Sequence, residues 1–124
     1  SGDVGAKALG LARDLGCSVV VHADRWSLAV HRTDADLVVR RLMTGNLLAS
    51  ARAAQGAPSS DVAPVSSASY EDDIPESQPL DEGWRIDCVP TPFVVEPAST
   101  IGLGDTFAAG LLLAAAVEGN RAWD

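Results

Sequence analysis

Apolar residues recur at helical spacing through Val4, Ala8, Leu11, Ala12 and Leu15, which predicts a short helix over residues 3–15. Asp3 stands where an N-cap is wanted, and Gly16 where a helix commonly ends in a left-handed residue. The period then changes. Residues 18–22 hold Val19, Val20 and Val21 in succession, a β-branched run that predicts a strand. Helix, glycine and valine run together read as the helix-to-strand half of an α/β unit. Residues 23–26 lead into a second predicted strand over 27–32. Thr33 or Asp34 then caps a helix over 35–54, with Leu37, Val38, Leu42, Leu48 and Ala51 on one face and Arg40, Arg41 and Arg52 mostly elsewhere. Gly45-Asn46 falls inside that helix and is expected to kink or split it, since an interior glycine costs about 1 kcal/mol relative to alanine.

From residue 57 to residue 83 the character is different. Ser, Pro, Ala and acids dominate, and few large apolar residues remain to offset the entropy of ordering. A flexible acidic insertion is expected there, with a solvated loop favoured over a lid. A strand follows over 84–89, where Trp84, Ile86 and Cys88 alternate with Arg85 and Asp87. Pro90 and Pro92 make this an edge or a bend, and residues 93–96 suit one more short strand. Beyond Gly104 comes a run of small and aliphatic residues, Phe107 to Val117, expected to form a helix buried against a sheet. The organisation is therefore an α/β segment over 1–56, an insertion over 57–83, and strands, a glycine turn and an apolar helix over 84–124.

The charge of the chain belongs mostly to the insertion. The formal net charge is −8, and seven of the 17 acidic residues lie in 57–83 with no Lys or Arg, which leaves ten acidic against nine basic residues elsewhere. With no basic face, a nucleic-acid partner is not expected. No apolar run has the roughly 18 residues that a membrane span needs, so a cytoplasmic protein is expected. Cys17 and Cys88 form no Cys-x-x-Cys pair, and both are expected as buried free thiols. No metal-ligand spacing joins them to His22 or His31, which read as structural strand histidines. Trp26, Trp84 and Trp123 read as packing residues, and the Arg40-Arg41 pair as a solvated helix face. The chain opens Ser1-Gly2-Asp3 with no initiator Met, and its helical pattern starts almost at once. A piece of a longer chain is expected.

Gly102-Leu103-Gly104-Asp105-Thr106 carries the chemistry. Two glycines allow a tight turn and leave backbone amides uncovered, and a helix begins there with its orphan N–H groups and positive dipole end. Such a turn suits a phosphate, and Asp105 at its mouth suits the acceptance of a proton from a hydroxyl. The plainer reading has Asp105 or Thr106 capping the helix and the glycines only shaping the turn. The motif is neither a Walker loop nor a Gly-x-Gly-x-x-Gly fingerprint.

Ser99-Thr100-Ile101-Gly102-Leu103-Gly104-Asp105-Thr106 follows Pro-Thr-Pro-Phe-Val-Val-Glu-Pro and precedes a small-residue helix. Together they resemble the signature of ADP-dependent glucokinases and phosphofructokinases of the ribokinase-like superfamily. The valine strand ending in His22 and the helix through Gly45-Asn46-Leu47-Leu48-Ala49 are weaker echoes. The resemblance is strong over the last quarter of the chain and loose over the first 55 residues. It implies the C-terminal portion of a ribokinase-like three-layer α/β/α fold. Asp105 would be the general base, and Gly102, Leu103, Gly104 and Thr106 would hold the phosphoryl group. Mg2+ with ADP would be the donor, a hexose or hexose phosphate the acceptor, and AMP the product. An ATP-dependent ribokinase-like kinase and a non-catalytic nucleotide-binding or structural piece are the alternatives. The family's Asn-x-x-Glu magnesium motif is not in this sequence, since neither Asn46 nor Asn120 has Glu three residues on. The sugar-binding residues and lid belong to an N-terminal part that this sequence does not include, so the chain alone is expected to be inactive.

Overall fold

A computed structural model describes residues 2–55, 68–69, 74–94 and 102–117. Helix α1 spans Gly2–Leu15, strand β1 Val19–His22, strand β2 Trp26–His31 and helix α2 Ala35–Gln55. Short strands β3 (Ala68–Ser69) and β4 (Gln78–Pro79) precede strand β5 (Arg85–Pro90), strand β6 (Phe93–Val94) and helix α3 (Leu103–Val117). The expected α/β class holds. Although the helix–glycine–valine pattern suggests an α/β crossover unit, every pair in the main sheet is antiparallel, in the order β1-β2-β5-β4. β1 and β2 form a hairpin in which Val20 opposes Ala29, closed by Ala23 N–H donating to Trp26 O at 2.9 Å. β3 and β6 pair separately.

Local signals set most boundaries. At the end of α1, Gly16 takes φ +68°, and the Gly16 and Cys17 amides both bond back to Ala12 O. Asp34 caps α2, its Oδ1 accepting from the amides of Asp36 (2.8 Å) and Leu37 (3.4 Å). α1 begins at Gly2, so Asp3 lies inside the helix and not at its cap position.

The sheet is covered on both faces. On one side Ala8 and Ala12 of α1 pack with Leu28, Val30, Ile86, Cys88 and Trp84. On the other, Val38, Leu42 and Ala49 of α2 pack with Ala29 and with Phe107 of α3. Each fully buried Val, Leu, Ile or Phe side chain among them contributes about 1.5–3 kcal/mol relative to exposure. Asp87, which alternates with Ile86 and Cys88 along β5, is buried and bonded to His31.

Four expectations change. Gly45 does not split α2, which runs unbroken for 21 residues. α3 packs chiefly on α2 rather than on the sheet, begins at Leu103, and leaves Leu112, Leu113 and Val117 exposed. Cys17 is exposed, while Cys88 is buried and its thiol is pushed up to about 11 by burial. Arg41 is fully buried while Arg40 stays on the surface. Within the acidic stretch, residues 74–83 carry structure: β4 pairs with β5, Ser77 Oγ accepts from Cys88 N–H at 2.9 Å, and a 3-10 turn spans Asp81–Gly83. Residues 57–67 and 70–73 of that stretch, residues 95–101 and Trp123 lie outside the described residues.

Candidate functional site

The glycine turn sits where α3 leaves the rest of the fold, and its position follows from the α2–α3 crossing. A β-carbon on Gly45 would stand 2.7 Å from the Phe107 ring and 2.9 Å from Phe107 O. One on Gly110 would stand 2.8 Å from Gly45 Cα. The two helices therefore meet backbone to backbone, and only glycine fits at either place. The apparent helix breaker Gly45 is a docking point.

Phe107 is held from a second direction. His22, at the end of β1, stacks on its ring with centroids 4.1 Å apart and planes 5° from parallel. Burial lowers the pKa of His22, partly offset by Asp24, so the stacked ring is favoured neutral. Phe107 lies two residues beyond Asp105, and its clamp between sheet and α2 fixes the first turn of α3.

In that turn Gly102 takes φ +74°, a conformation that glycine adopts without strain. The Gly102 carbonyl accepts from both the amide and Oγ1 of Thr106, each at 3.0 Å. Thr106 thus closes the turn from within. By helix geometry the amides of Leu103, Gly104 and Asp105 have no acceptor inside the helix. Gly104 and Asp105 are exposed, and Gly102, Leu103 and Thr106 are half-buried. All five residues of the motif therefore lie in one turn, with the Asp105 carboxylate at the positive end of a 15-residue helix.

Arg52, from the last turn of α2, also reaches this turn. A β-carbon on Gly102 would lie 3.1 Å from its Nη2, 3.4 Å from Nε and 3.5 Å from Cζ, so the guanidinium lies against the glycine. Sequence reading placed Arg52 away from the apolar face and gave it no role. The available signal was spacing: Arg52 follows Gly45 by seven residues, two helical turns, and so shares the face that meets α3.

The second histidine is structural. His31 is fully buried, and its Nδ1 accepts from Thr33 N–H at 3.1 Å, so its proton sits on Nε2, which donates to Asp87 Oδ2 at 2.6 Å. Burial alone would push the Asp87 carboxyl up, but hydrogen bonds from Arg85 and His31 outweigh it and hold the group below the ordinary carboxylate range. Among the described residues no group of three or more His, Cys, Asp or Glu is placed to hold a metal ion. No helix among them is long and apolar enough to cross a membrane.

The fold has solved counterparts. A phosphofructokinase from Pyrococcus horikoshii OT3 with AMP is similar at TM-score 0.68 and 21% identity, over 91% of this chain and 29% of its own. An ADP-dependent kinase in complex with fructose-6-phosphate and ADPβS is similar at TM-score 0.73 and 19% identity, over 94% of this chain and 32% of its own. The chain has the fold of part of an ADP-dependent kinase. A reconstructed last common ancestor of the ADP-dependent phosphofructokinases from Methanosarcinales gives the same result, with TM-score 0.68, 20% identity, and coverage of 88% of this chain and 28% of the ancestor. The chain thus spans about 30% of the length of these kinases. No protein-family model matches the sequence, and no curated relative matches it.

Proposed function

We propose that this chain supplies the phosphoryl-transfer turn of an ADP-dependent sugar kinase, with Asp105 as general base. The observation that carries the reading is the turn itself, set within a fold shared with ADP-dependent kinases. Gly102 at φ +74° opens α3 so that first-turn amides with no acceptor inside the helix and one exposed carboxylate occupy the same place. Asp105 takes the proton of a sugar hydroxyl as that oxygen bonds to the β-phosphorus of Mg-ADP. The bond from β-phosphorus to the bridging oxygen breaks, and AMP leaves. The amides of Leu103 and Gly104 stabilise the charge on the transferring group, as an anion hole does. A hexose or hexose phosphate is the acceptor class. The missing Asn-x-x-Glu motif supports a second reading, in which these residues bind nucleotide and turn nothing over alone.

Titration of the chain with Mg-ADP, followed by backbone amide NMR, tests the site. Shifts concentrated at residues 102–106 are expected, and a dispersed spectrum with no movement there would overturn the reading. In a complete kinase carrying this segment, Asp105→Asn should lower turnover about 10²–10⁴-fold with nucleotide affinity within a few-fold. Near-normal turnover would remove Asp105 from the role of base.

A further inference from the structure

We infer that Ser27, Asn46 and Thr91 hold an internal water molecule between α2 and the end of the sheet, one residue along α2 from the Gly45–Phe107 contact. No residue of the glycine turn takes part, so the site is independent of the phosphoryl-transfer reading.

Donors and acceptors do not balance here. Ser27 is fully buried, Asn46 is 1% exposed and Thr91 is 4% exposed. Yet Ser27 Oγ, Asn46 Oδ1 and Thr91 Oγ1 have no hydrogen-bond partner among the described residues. A buried polar atom is costly to leave so, and where protein supplies no partner an ordered water commonly does.

Strand pairing draws the three residues into one place. Ser27 opposes His22 on one side and Val89 on the other. It lies two residues before Ala29, and so on the sheet face that α2 covers. Thr91 follows Pro90, and its amide donates to Arg25 O at 2.8 Å, which ties it to the start of β2. Asn46 reaches both from α2. Its Nδ2 donates to Val89 O, on the residue opposite Ser27, and to Pro90 O, in the peptide that leads into Thr91. Those two acceptors also settle how the amide is turned: its NH2 end faces the strand, and its oxygen is left for a donor.

Water is the ligand that balances this set. Asn46 Oδ1 only accepts, so its partner must donate, while each hydroxyl can donate or accept. One water that donates to Asn46 Oδ1 and bonds both hydroxyls satisfies all three, within the two to four bonds usual for a buried water. None of the three residues is charged, so an anion has no cation to pair with and a divalent ion has no carboxylate. Asp87, the one acid of β5, is engaged by His31 and Arg85. The seat of α2 on the strand ends is therefore partly solvent, next to the residue on which Phe107 rests.

The test is a crystal structure of the chain at a resolution that shows ordered water, together with denaturation of Ser27→Ala, Thr91→Val and the double variant. One water within hydrogen-bond distance of all three oxygens is expected. A hydroxyl bonded to that water stabilises the fold, so Thr91→Val should lower the folding equilibrium constant about three- to tenfold. An orphan hydroxyl does the opposite, and a Thr91→Val chain as stable as wild type or more so would overturn the site. Two hydroxyls on one water are coupled, so the two losses should not add in the double variant; strict additivity would mean that no water is shared. Stability that changes when potassium chloride replaces sodium chloride would put a cation in place of the water. Should a variant fail to fold, the wild-type crystal decides alone: a shared water supports the site, and three oxygens that are dry or bonded to protein atoms remove it.

Discussion

The two faces of the sheet are held by different means. Beneath α1, the contacts are apolar: Ala8 and Ala12 against Leu28, Val30, Ile86 and Cys88. Beneath α2, apolar contacts alternate with directional ones. His31 bonds to Asp87, Asn46 Nδ2 donates to the carbonyls of Val89 and Pro90 at 3.4 and 3.3 Å, and Ser50 Oγ donates to Pro92 O at 2.6 Å. Apolar contacts tolerate sliding, whereas hydrogen bonds to named carbonyls fix one register. The α2 face is also the one that carries α3 and its glycine turn. Directional anchoring is thus concentrated on the face that carries α3, and is sparse where a helix needs only cover.

Substitution on the α2 face should break that contrast most. Asp87→Ala leaves the buried Nε2–H of His31 without its acceptor and should cost about 3 kcal/mol in chemical denaturation. The Arg85 limb contributes less, since that side chain is 32% exposed. A pH signature accompanies this change. Because the folded carboxyl is held below its ordinary range, the unfolded chain takes up a proton first. The stabilisation is complete above pH of about 4 and is lost as pH falls through the lower folded value. The variant should lack that acid limb, and an unchanged acid profile would separate Asp87 from acid stability.

Gly45→Ala comes next. Its new methyl would meet Phe107 O, a backbone atom that cannot swing aside, so a loss of about 1–3 kcal/mol is expected despite the better helix propensity of alanine. The amides of residues 102–106 should shift in the same variant. Unmoved amides would detach the crossing from the site. The smallest effect belongs to the α1 side. A β-carbon at Gly10 meets nothing within 4 Å, so Gly10→Ala should stabilise by about 0.5–1 kcal/mol, with the turn's amides unmoved. A destabilised Gly10→Ala would mean that α1 is as tightly constrained as α2.

What sequence made legible follows the same division. Period and caps located α1, β1, β2, α2 and β5 to within a residue or two, because those signals are local. The motif at 102–106 was legible for the same reason, since its five residues are contiguous. Arg52, the His22–Phe107 stack and the purpose of Gly45 were not, because each depends on which faces meet after folding. Gly45 was read by propensity as a break, and tertiary contact overrode it. Arg41 shows the converse failure: charge suggested solvent, and only the packing of α2 buried it. The exposed leucines of α3 went unread because an all-apolar stretch does not reveal which of its sides is covered.

The pairing of β2 with β5 also governs how the chain reaches this state. His31 meets Asp87 across 56 residues, with all of α2 and the acidic stretch between them. The β1–β2 hairpin and both flanking helices are closed by neighbours in sequence, but the sheet that orders them waits for the largest loop closure in the main sheet. During synthesis the β2 edge of the hairpin therefore emerges unpaired, and it stays so until residue 90 has been made. The Val89 and Pro90 carbonyls that anchor Asn46 of α2 are thus among the last parts of the sheet to be made.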